Sequence, residues 1–325
     1  MQYNRCGNSD LTFSAITLGL MVRDCSPGAP YEAVKRTVLE AVEAGVNTID
    51  LATGYGGGTV ELALGQILRE GLGARRDELV LATKAGWADG TRKMLTESLD
   101  RSLQQLGVDY VDLYYHHAPD ANTPFEETAA ALDELVRAGK TRYVGISNYS
   151  PAETRAIATI FREAGTPFVA HQCNYNMLNR WVEDELLETL TEFGLGAAIF
   201  ASLGQGVLTE KSIGGPAPGR RAAGTFQAII SGVATGEPAY GRYPEGDVEA
   251  HILHMLCELA GIAAERGQTL SQLAVAWVLR QPAVSTVIVG TSDVEQLRDT
   301  IGATNKLGFT KEELARIEAV IPGRM

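Results

Sequence analysis

The sequence predicts a (β/α)8 barrel with an N-terminal β-hairpin plugging its bottom and one extra helix at its C-terminal end. Three observations predict it. Apolar, strand-like runs alternate with longer polar-faced segments along most of the 325 residues. The alternation repeats eight times, which favours parallel strands joined by crossover helices. A doubly wound sheet usually has fewer repeats and reverses its strand order once. Several helical segments also stop on glycine, the residue a left-handed C-cap prefers. Residues 1–325 are therefore read as one barrel domain.

The elements follow in order. A short opening segment, before residue 16, is assigned to the hairpin plug. The strand runs are ITLGL (16–20), NTIDLA (47–52), LVLATKA (79–85), VDLYYHH (111–117), RYVGIS (142–147), FVAHQCN (168–174), AAIFASL (197–203) and STVIVG (285–290). Between them, YEAVKRTVLEAVEAG (31–45) places Val34, Val38, Ala41 and Val42 on one helical face. MLTESLDRSLQQLG (94–107) and FEETAAALDELVRAG (125–139) read the same way, and the stops fall at Gly45, Gly107, Gly139, Gly165 and Gly194. Pro151 after Ser150 marks another helix start. The extra helix is TKEELARIEAVI (310–321). One connection is long: from about 204 to 247 the chain is rich in Gly, Pro and Arg and shows no confident element. It follows the seventh strand, so it lies at the mouth of the barrel, where a long loop reads as a functional lid.

Composition narrows the function. The chain is 45% hydrophobic and 21% charged, enough for a large core, and its net charge is -12. A surface of that sign repels phosphate backbones and acidic lipid, so neither nucleic acid nor membrane is an expected partner. The start MQYNRCGNSD has no apolar signal core, and no run approaches the roughly 20 apolar residues of a membrane helix. The four cysteines (Cys6, Cys25, Cys173, Cys257) form no CxxC pair, which argues against a zinc site or disulfide framework. A cytoplasmic protein is expected; a homo-oligomer is neither required nor forbidden.

Chemistry in a barrel sits where strands end and βα loops begin. The second strand delivers Asp50 and, on its loop, Tyr55. The third delivers Lys84, the fourth His116 and His117, the fifth Ser147 and Asn148, the sixth His171 and Gln172, and the seventh Phe200. A free phenol has a pKa of about 10 and donates protons poorly at neutral pH. A nearby ammonium lowers that value, a carboxylate paired to the lysine holds it in place, and a histidine orients a carbonyl oxygen or relays the proton. Asp50, Tyr55, Lys84 and His117 together make a general acid for carbonyl reduction, with hydride coming from a nicotinamide. Singly, each has a blander use: a turn acceptor, a packing aromatic, a solvent-reaching lysine. Their occurrence at successive strand ends favours the single chemistry that uses all of them.

Two motifs are set aside. GYGGGT begins like a dinucleotide loop, but Thr59 stands where G-x-G-x-x-G needs its third glycine, and no Walker A pattern occurs. The glycines are read as a tight loop that lets Tyr55 approach a substrate. His116 and His117 are neighbours on a strand and point to opposite faces, so they do not share a metal ion. Val111, Leu113, Tyr115 and His117 are assigned to the barrel interior, and Asp112, Tyr114 and His116 to the helix-facing side.

IDLATGYGGGTVELALG, LATKAGW, LGVDYVDLYYHH, VGISNYS, HQCNYNMLNR and VIVGTSDVEQL resemble, in order and spacing, the aldo-keto reductase superfamily. The resemblance covers nearly the whole chain. It is closest to the branch holding the potassium-channel β subunits and the bacterial glyceraldehyde 3-phosphate reductases, most specifically in NTPFEETAAALDELVRAGKTRYVGISNYSP and HQCNYNMLNRWVEDELL. It implies a barrel that binds NADP(H) extended, without a Rossmann domain. It implies Asp50, Tyr55, Lys84 and His117 as the catalytic tetrad, and Ser147, Asn148 and Gln172 as contacts of the nicotinamide carboxamide. Phe200 falls at the position that stacks on the nicotinamide ring. Gly204, Gln205 and Gly206 match the turn beside the pyrophosphate, Leu203 precedes it among the cofactor contacts, and Lys211 matches a lysine near the phosphates. Arg220 or Arg221 is placed over the cofactor, and Ser292, Gln296 and Asp299 at its adenosine phosphate.

Departures from the family pattern bear on specificity. Asp293 stands where relatives often carry Arg, Lys or Asn against the 2′-phosphate, which admits NAD(H) beside NADP(H). Thr300 replaces a common Asn, and Arg298 is a candidate to compensate. Ala201 and Ser202 replace the usual Ser-Pro or Thr-Pro. GYGGGT is shorter than the tyrosine loop of the glyceraldehyde 3-phosphate reductases, which weakens transfer of their substrate. The expected substrates are small aldehydes, 2-oxoaldehydes or sugar-like carbonyls, in a pocket shaped by Trp87 and the 204–247 segment. Two other readings stand beside this one: a dehydrogenase oxidising a sugar or glycoside hydroxyl, and a cofactor-sensing auxiliary subunit.

Overall fold

The computed structural model describes residues 1–21, 25, 27–215, 221–231 (side chains of 222–229), 247–291 and 293–321. A two-stranded antiparallel hairpin comes first, β1 (Tyr3–Arg5) and β2 (Thr12–Ser14). Eight parallel strands then close a barrel: β3 (Ile16–Gly19), β4 (Thr48–Asp50), β5 (Val80–Lys84), β6 (Val111–His116), β7 (Thr141–Ser147), β8 (Phe168–Asn174), β9 (Gly196–Phe200) and β10 (Val284–Gly290). Closure is direct, with Val287 of β10 opposite Ile16 of β3. Outside lie α1 (Ala29–Glu43), α2 (Val60–Ile67), α3 (Arg92–Leu106), α4 (Phe125–Arg137), α5 (Pro151–Ala164), α6 (Leu186–Phe193), α7 (Arg221–Ser231), α8 (Val248–Glu265), α9 (Leu270–Leu279), α10 (Val294–Gly302) and α11 (Lys311–Val320). This is the (β/α)8 barrel the alternation predicts. The hairpin stands where it was expected, and α11 is the extra helix, packed on α8.

Local chemistry explains the boundaries. Thr91 caps α3 by accepting from the Met94 backbone N–H at 3.3 Å. Ser150 and Glu153 form a reciprocal capping box at the start of α5, with Pro151 in its first turn. Thr269 with Gln272, and Thr310 with Glu313, do the same for α9 and α11. Gly107, Gly165 and Gly194 end their helices in the left-handed conformation, with φ of 69°, 70° and 68°.

The stretch read as lacking an element holds α7. Ala222, Phe226 and Ile229 recur at helical spacing and pack into the same apolar cluster as Leu256, Leu259 and Trp277. Gly224 and the surrounding Gly, Pro and Arg obscured that spacing, which becomes decisive only once there is a core to bury it against.

The barrel interior is small and closed from below. Cys6, Leu11 and Phe13 of the hairpin pack with Val80, Ala82, Leu113, Tyr115, Val169 and Ala170. Burying a side chain such as Phe13 contributes roughly 1.5–3 kcal/mol, so the plug is held by apolar area as well as by its strand pairing. Leu113 and Tyr115 point inward as their register requires, and Tyr114 joins the helix-side cluster. Val111, expected inside, also packs on the helix side. The chain thus leaves one open end, to which the C-terminal ends of the strands deliver their side chains.

Candidate active site

Asp50 and Lys84 are the last residues of two adjacent strands, β4 and β5. Their pairing carries both side chains to the same end of the barrel. The Lys84 Nζ donates to Asp50 Oδ2 and to the Leu51 carbonyl, each at 2.6 Å. The other carboxylate oxygen, Oδ1, accepts from Gln172 Nε2 at 2.9 Å. Lys84 is 0% exposed. A buried ammonium survives only with such partners, and they hold its pKa above the free value although burial, the largest influence, pulls it down.

Tyr55 enters through the glycine loop. It opens a single turn, Tyr55–Gly58, in which Gly56 and Gly57 take φ of 58° and 65°. Those left-handed conformations are strained for other residues, and they fold the chain back tightly enough to lay the phenol over the lysine. Lys84 Nζ lies 5.0 Å from the Tyr55 ring centre, close enough for its charge to act on the phenol. His117 follows β6, with its ring 6.0 Å from Tyr55 and 4.9 Å from the exposed Trp87. Its Nδ1 lies 3.3 Å from the Ala85 carbonyl. The tautomer that satisfies this contact carries its proton on Nδ1 and a lone pair on Nε2.

Around this cluster, Asn148 Nδ2 donates to the His117 carbonyl at 3.0 Å and to Ser147 Oγ at 3.1 Å. Among the described residues, no acceptor takes the proton of the buried Ser147 hydroxyl, and no donor meets Asn148 Oδ1. A donor and an acceptor side by side suit a primary carboxamide, so these residues fit a nicotinamide. Phe200 ends β9 half-buried, beside Ala201 at φ 53° and Gln205 at φ 58°. The Gly206 carbonyl is tied down by Thr209 and Ser212 at 2.8 and 2.9 Å. All four non-glycine residues with positive φ among those described, Ala88, Asn148, Ala201 and Gln205, lie in loops that follow strand C-termini. Backbone strain concentrates at this mouth, as it does at functional sites.

An aldo/keto reductase family model matches residues 15–322. The chain belongs to the aldo/keto reductase family. Among relatives of this reductase is an L-glyceraldehyde 3-phosphate reductase from Escherichia coli strain K12, 40% identical over 98% of this chain and 92% of the relative. Another is a putative voltage-gated potassium channel subunit beta from Schizosaccharomyces pombe, 34% identical over 97% of this chain and 92% of the relative. The family assignment makes the chain an oxidoreductase that acts on carbonyl compounds, and both relatives fall in the branch the motifs resemble.

The electrostatics of the reductase correct one expectation. Burial raises the pKa of the Tyr55 phenol, and the Lys84 charge offsets this only in part, so the net direction is upward. The lysine counters desolvation; it does not bring the phenol below its free value. His117 is pushed down to about 3, first by burial and then by the Lys84 charge. The imidazole is therefore neutral at neutral pH.

The outlying expectations divide. Lys211 is exposed near the Gly204–Gly206 turn. The neighbouring Glu210 binds the Leu270 backbone N–H and, at 3.2 Å, Ser271 Oγ, which anchors that loop to the start of α9. Asp299 accepts from Gln272 Nε2 at 3.0 Å and Thr269 Oγ1 at 3.2 Å, so its carboxylate is engaged with α9. Gln296 donates its backbone N–H to Asp293 Oδ1 at 2.9 Å, making Asp293 the cap of α10. Arg298 pairs with Glu40 at 2.7 Å, so it does not offset Asp293. Arg220 and Ser292 lie outside the described residues, as does the side chain of Arg221.

Sequence reading missed three supports. Gln172 was assigned to the cofactor, and its amide holds Asp50. Tyr149 and His116 form a buried hydrogen bond of 2.6 Å behind the catalytic wall. Glu210 fixes the loop after β9. Strand alternation placed His116 on the outer face, but nothing local names its partner.

Proposed function

We propose that this reductase interconverts carbonyl compounds and alcohols using NADP(H) or NAD(H), with Tyr55 as the proton donor. The observation that carries it is the Lys84 ammonium, buried without exposure, bonded to Asp50 at 2.6 Å and lying 5.0 Å from the Tyr55 ring centre. A nicotinamide held by Ser147 and Asn148 and faced by Phe200 supplies the hydride. The other work belongs to the chain. Asp50 and Gln172 fix Lys84, and Lys84 stabilises the phenolate that remains when Tyr55 gives up its proton. The His117 lone pair accepts from a hydroxyl beside Tyr55, which suits a proton relay and steers an alcohol group. Trp87 forms the outer wall against His117.

Small aldehydes, 2-oxoaldehydes and sugar-like carbonyls suit a site whose buried cation is already committed to a carboxylate. The relative's substrate, L-glyceraldehyde 3-phosphate, belongs in the same assay panel. Oxidation of a sugar hydroxyl uses the same residues in reverse, and the NADH to NADPH preference discriminates the two directions. The test is Tyr55→Phe. Turnover should fall by about 10²–10⁴-fold, the range of general acid catalysis, while cofactor affinity stays within about twofold. A Tyr55→Phe enzyme that retains turnover removes the proposal.

A further inference from the structure

Directly behind His117 lies a second imidazole. His116 is fully buried on the outer face of β6, and its Nδ1 lies 2.6 Å from the Tyr149 hydroxyl. If Nδ1 held the proton, the Tyr149 hydroxyl hydrogen and the Nε2 lone pair would both lack partners. With Tyr149 donating, only an Nε2–H is unpaired, the smaller penalty. Nε2 is indeed buried without a hydrogen-bond partner, and the loop backbone beside it is that of Gly90, where an added methyl group would lie 3.5 Å from Nε2.

Gly90 belongs to the loop that carries Trp87. A methyl group added at Gly90 would lie 3.2 Å from His116 Cε1 and 2.5 Å from Thr128 Oγ1, so the loop backbone rests on the ring. Thr128 Oγ1 donates to the Gly90 carbonyl at 3.0 Å, and Asp120 accepts from the Gly90 N–H at 3.3 Å. Within this loop Ala88 holds φ of 50°, a strained state that needs external anchors. On the other side, Tyr149 follows Asn148, and its carbonyl meets His171 Nε2 at 3.1 Å.

We infer that His116 is a positioning residue for the carbonyl pocket: its Nε2–H, beside the Gly90 backbone and oriented by Tyr149, sets Trp87 against His117. An inward shift of the loop completes the bond, so closure over a carbonyl compound and satisfaction of the buried donor are the same event. Burial holds the pKa of His116 down to about 4, so the ring stays neutral at working pH.

The kinetic arm rests on the carbonyl reductase reading; a spectroscopic arm does not. Full-length protein is labelled with 5-fluorotryptophan, which gives one resonance for each of its three tryptophans; Trp87→Phe assigns the relevant one. His116→Phe keeps the ring volume and removes both bonds. It should shift or double the Trp87 resonance and raise KM for the aldehyde about tenfold, with kcat changed less than threefold and cofactor affinity within twofold. His116→Gln keeps a donor toward the loop and should restore most of KM; His116→Asn keeps only the reach to Tyr149 and should not. The Gln and Asn variants carry the test if the Phe variant does not fold. An unmoved Trp87 resonance and KM in His116→Phe, or equal rescue by Asn and Gln, overturns the inference. Absence of aldehyde turnover in the unaltered protein overturns the reductase reading instead, while the fluorine spectra still decide the role of His116.

Discussion

Removing the buried ammonium should cost stability as well as activity, and only stability isolates the ion pair. In Lys84→Met, Asp50 keeps its bond from Gln172 and loses its cation. At 2.6 Å the pair attracts by about 6 kcal/mol at an effective dielectric near 20, and much of that is offset by desolvation of both ions. Deleting one partner of a buried pair leaves the other charge stranded, for a net loss of about 3–5 kcal/mol. That is a large fraction of the roughly 5–15 kcal/mol that holds a typical protein folded. Asp50→Asn with Lys84→Met removes both charges and should recover at least about 2 kcal/mol relative to the sum of the single variants, since no bare ion remains buried. Urea unfolding followed by circular dichroism measures all four corners of the cycle. Every variant is expected to be inactive, so turnover does not discriminate. A Lys84→Met protein within about 1 kcal/mol of the original, or strictly additive single variants, would refute the view of Asp50 and Lys84 as a buried, mutually dependent pair.

Three further outcomes follow. Acid should destabilise the protein from below pH 6.5: His116, His117 and His171 have folded pKa values of about 4, 3 and 4, all lowered first by burial. The unfolded chain therefore binds more protons as pH falls from 6.5 to about 4. Each pH unit is about 1.4 kcal/mol per group, so urea midpoints should fall steeply from pH 7 to 4.5; a flat profile contradicts the buried neutral rings. Gly145→Ala would set a methyl 2.6 Å from Tyr115 Cδ1 and 2.9 Å from the Ala170 carbonyl. The expected cost is about 1–3 kcal/mol, read as a lowered thermal midpoint, and an unchanged midpoint would show that the barrel wall yields there. Asp293→Asn keeps an α10 cap and removes its charge. NADPH should bind at least about threefold tighter while NADH stays within twofold; equal changes would remove Asp293 from the 2′-phosphate.

Much of the candidate site was legible because strand alternation and strand ends are local properties. Asp50, Lys84 and His117 sit at the ends of apolar runs, and a parallel barrel carries every such end to one face. Tyr55 was legible from its glycines, which have few uses besides a tight loop. Helix α7 was not legible, because Ala222, Phe226 and Ile229 become a helical face only against Leu256 and Trp277. The sign of the Tyr55 pKa shift was not legible either. It is a balance between burial and the Lys84 charge, and burial is a property of the folded surroundings.

By itself the sequence determined the order of the barrel strands, their direction and which side chains reach the open end. Periodicity, caps and glycine stops act over a few residues, so they are written where they operate. The tertiary structure decided which groups touch: Gln172 on Asp50, 122 positions apart, Tyr149 on His116, Arg298 on Glu40 and Glu210 on the start of α9. Those contacts depend on how eight strands close on one another, and hydrogen bonds are set by distances that no spacing along the chain records.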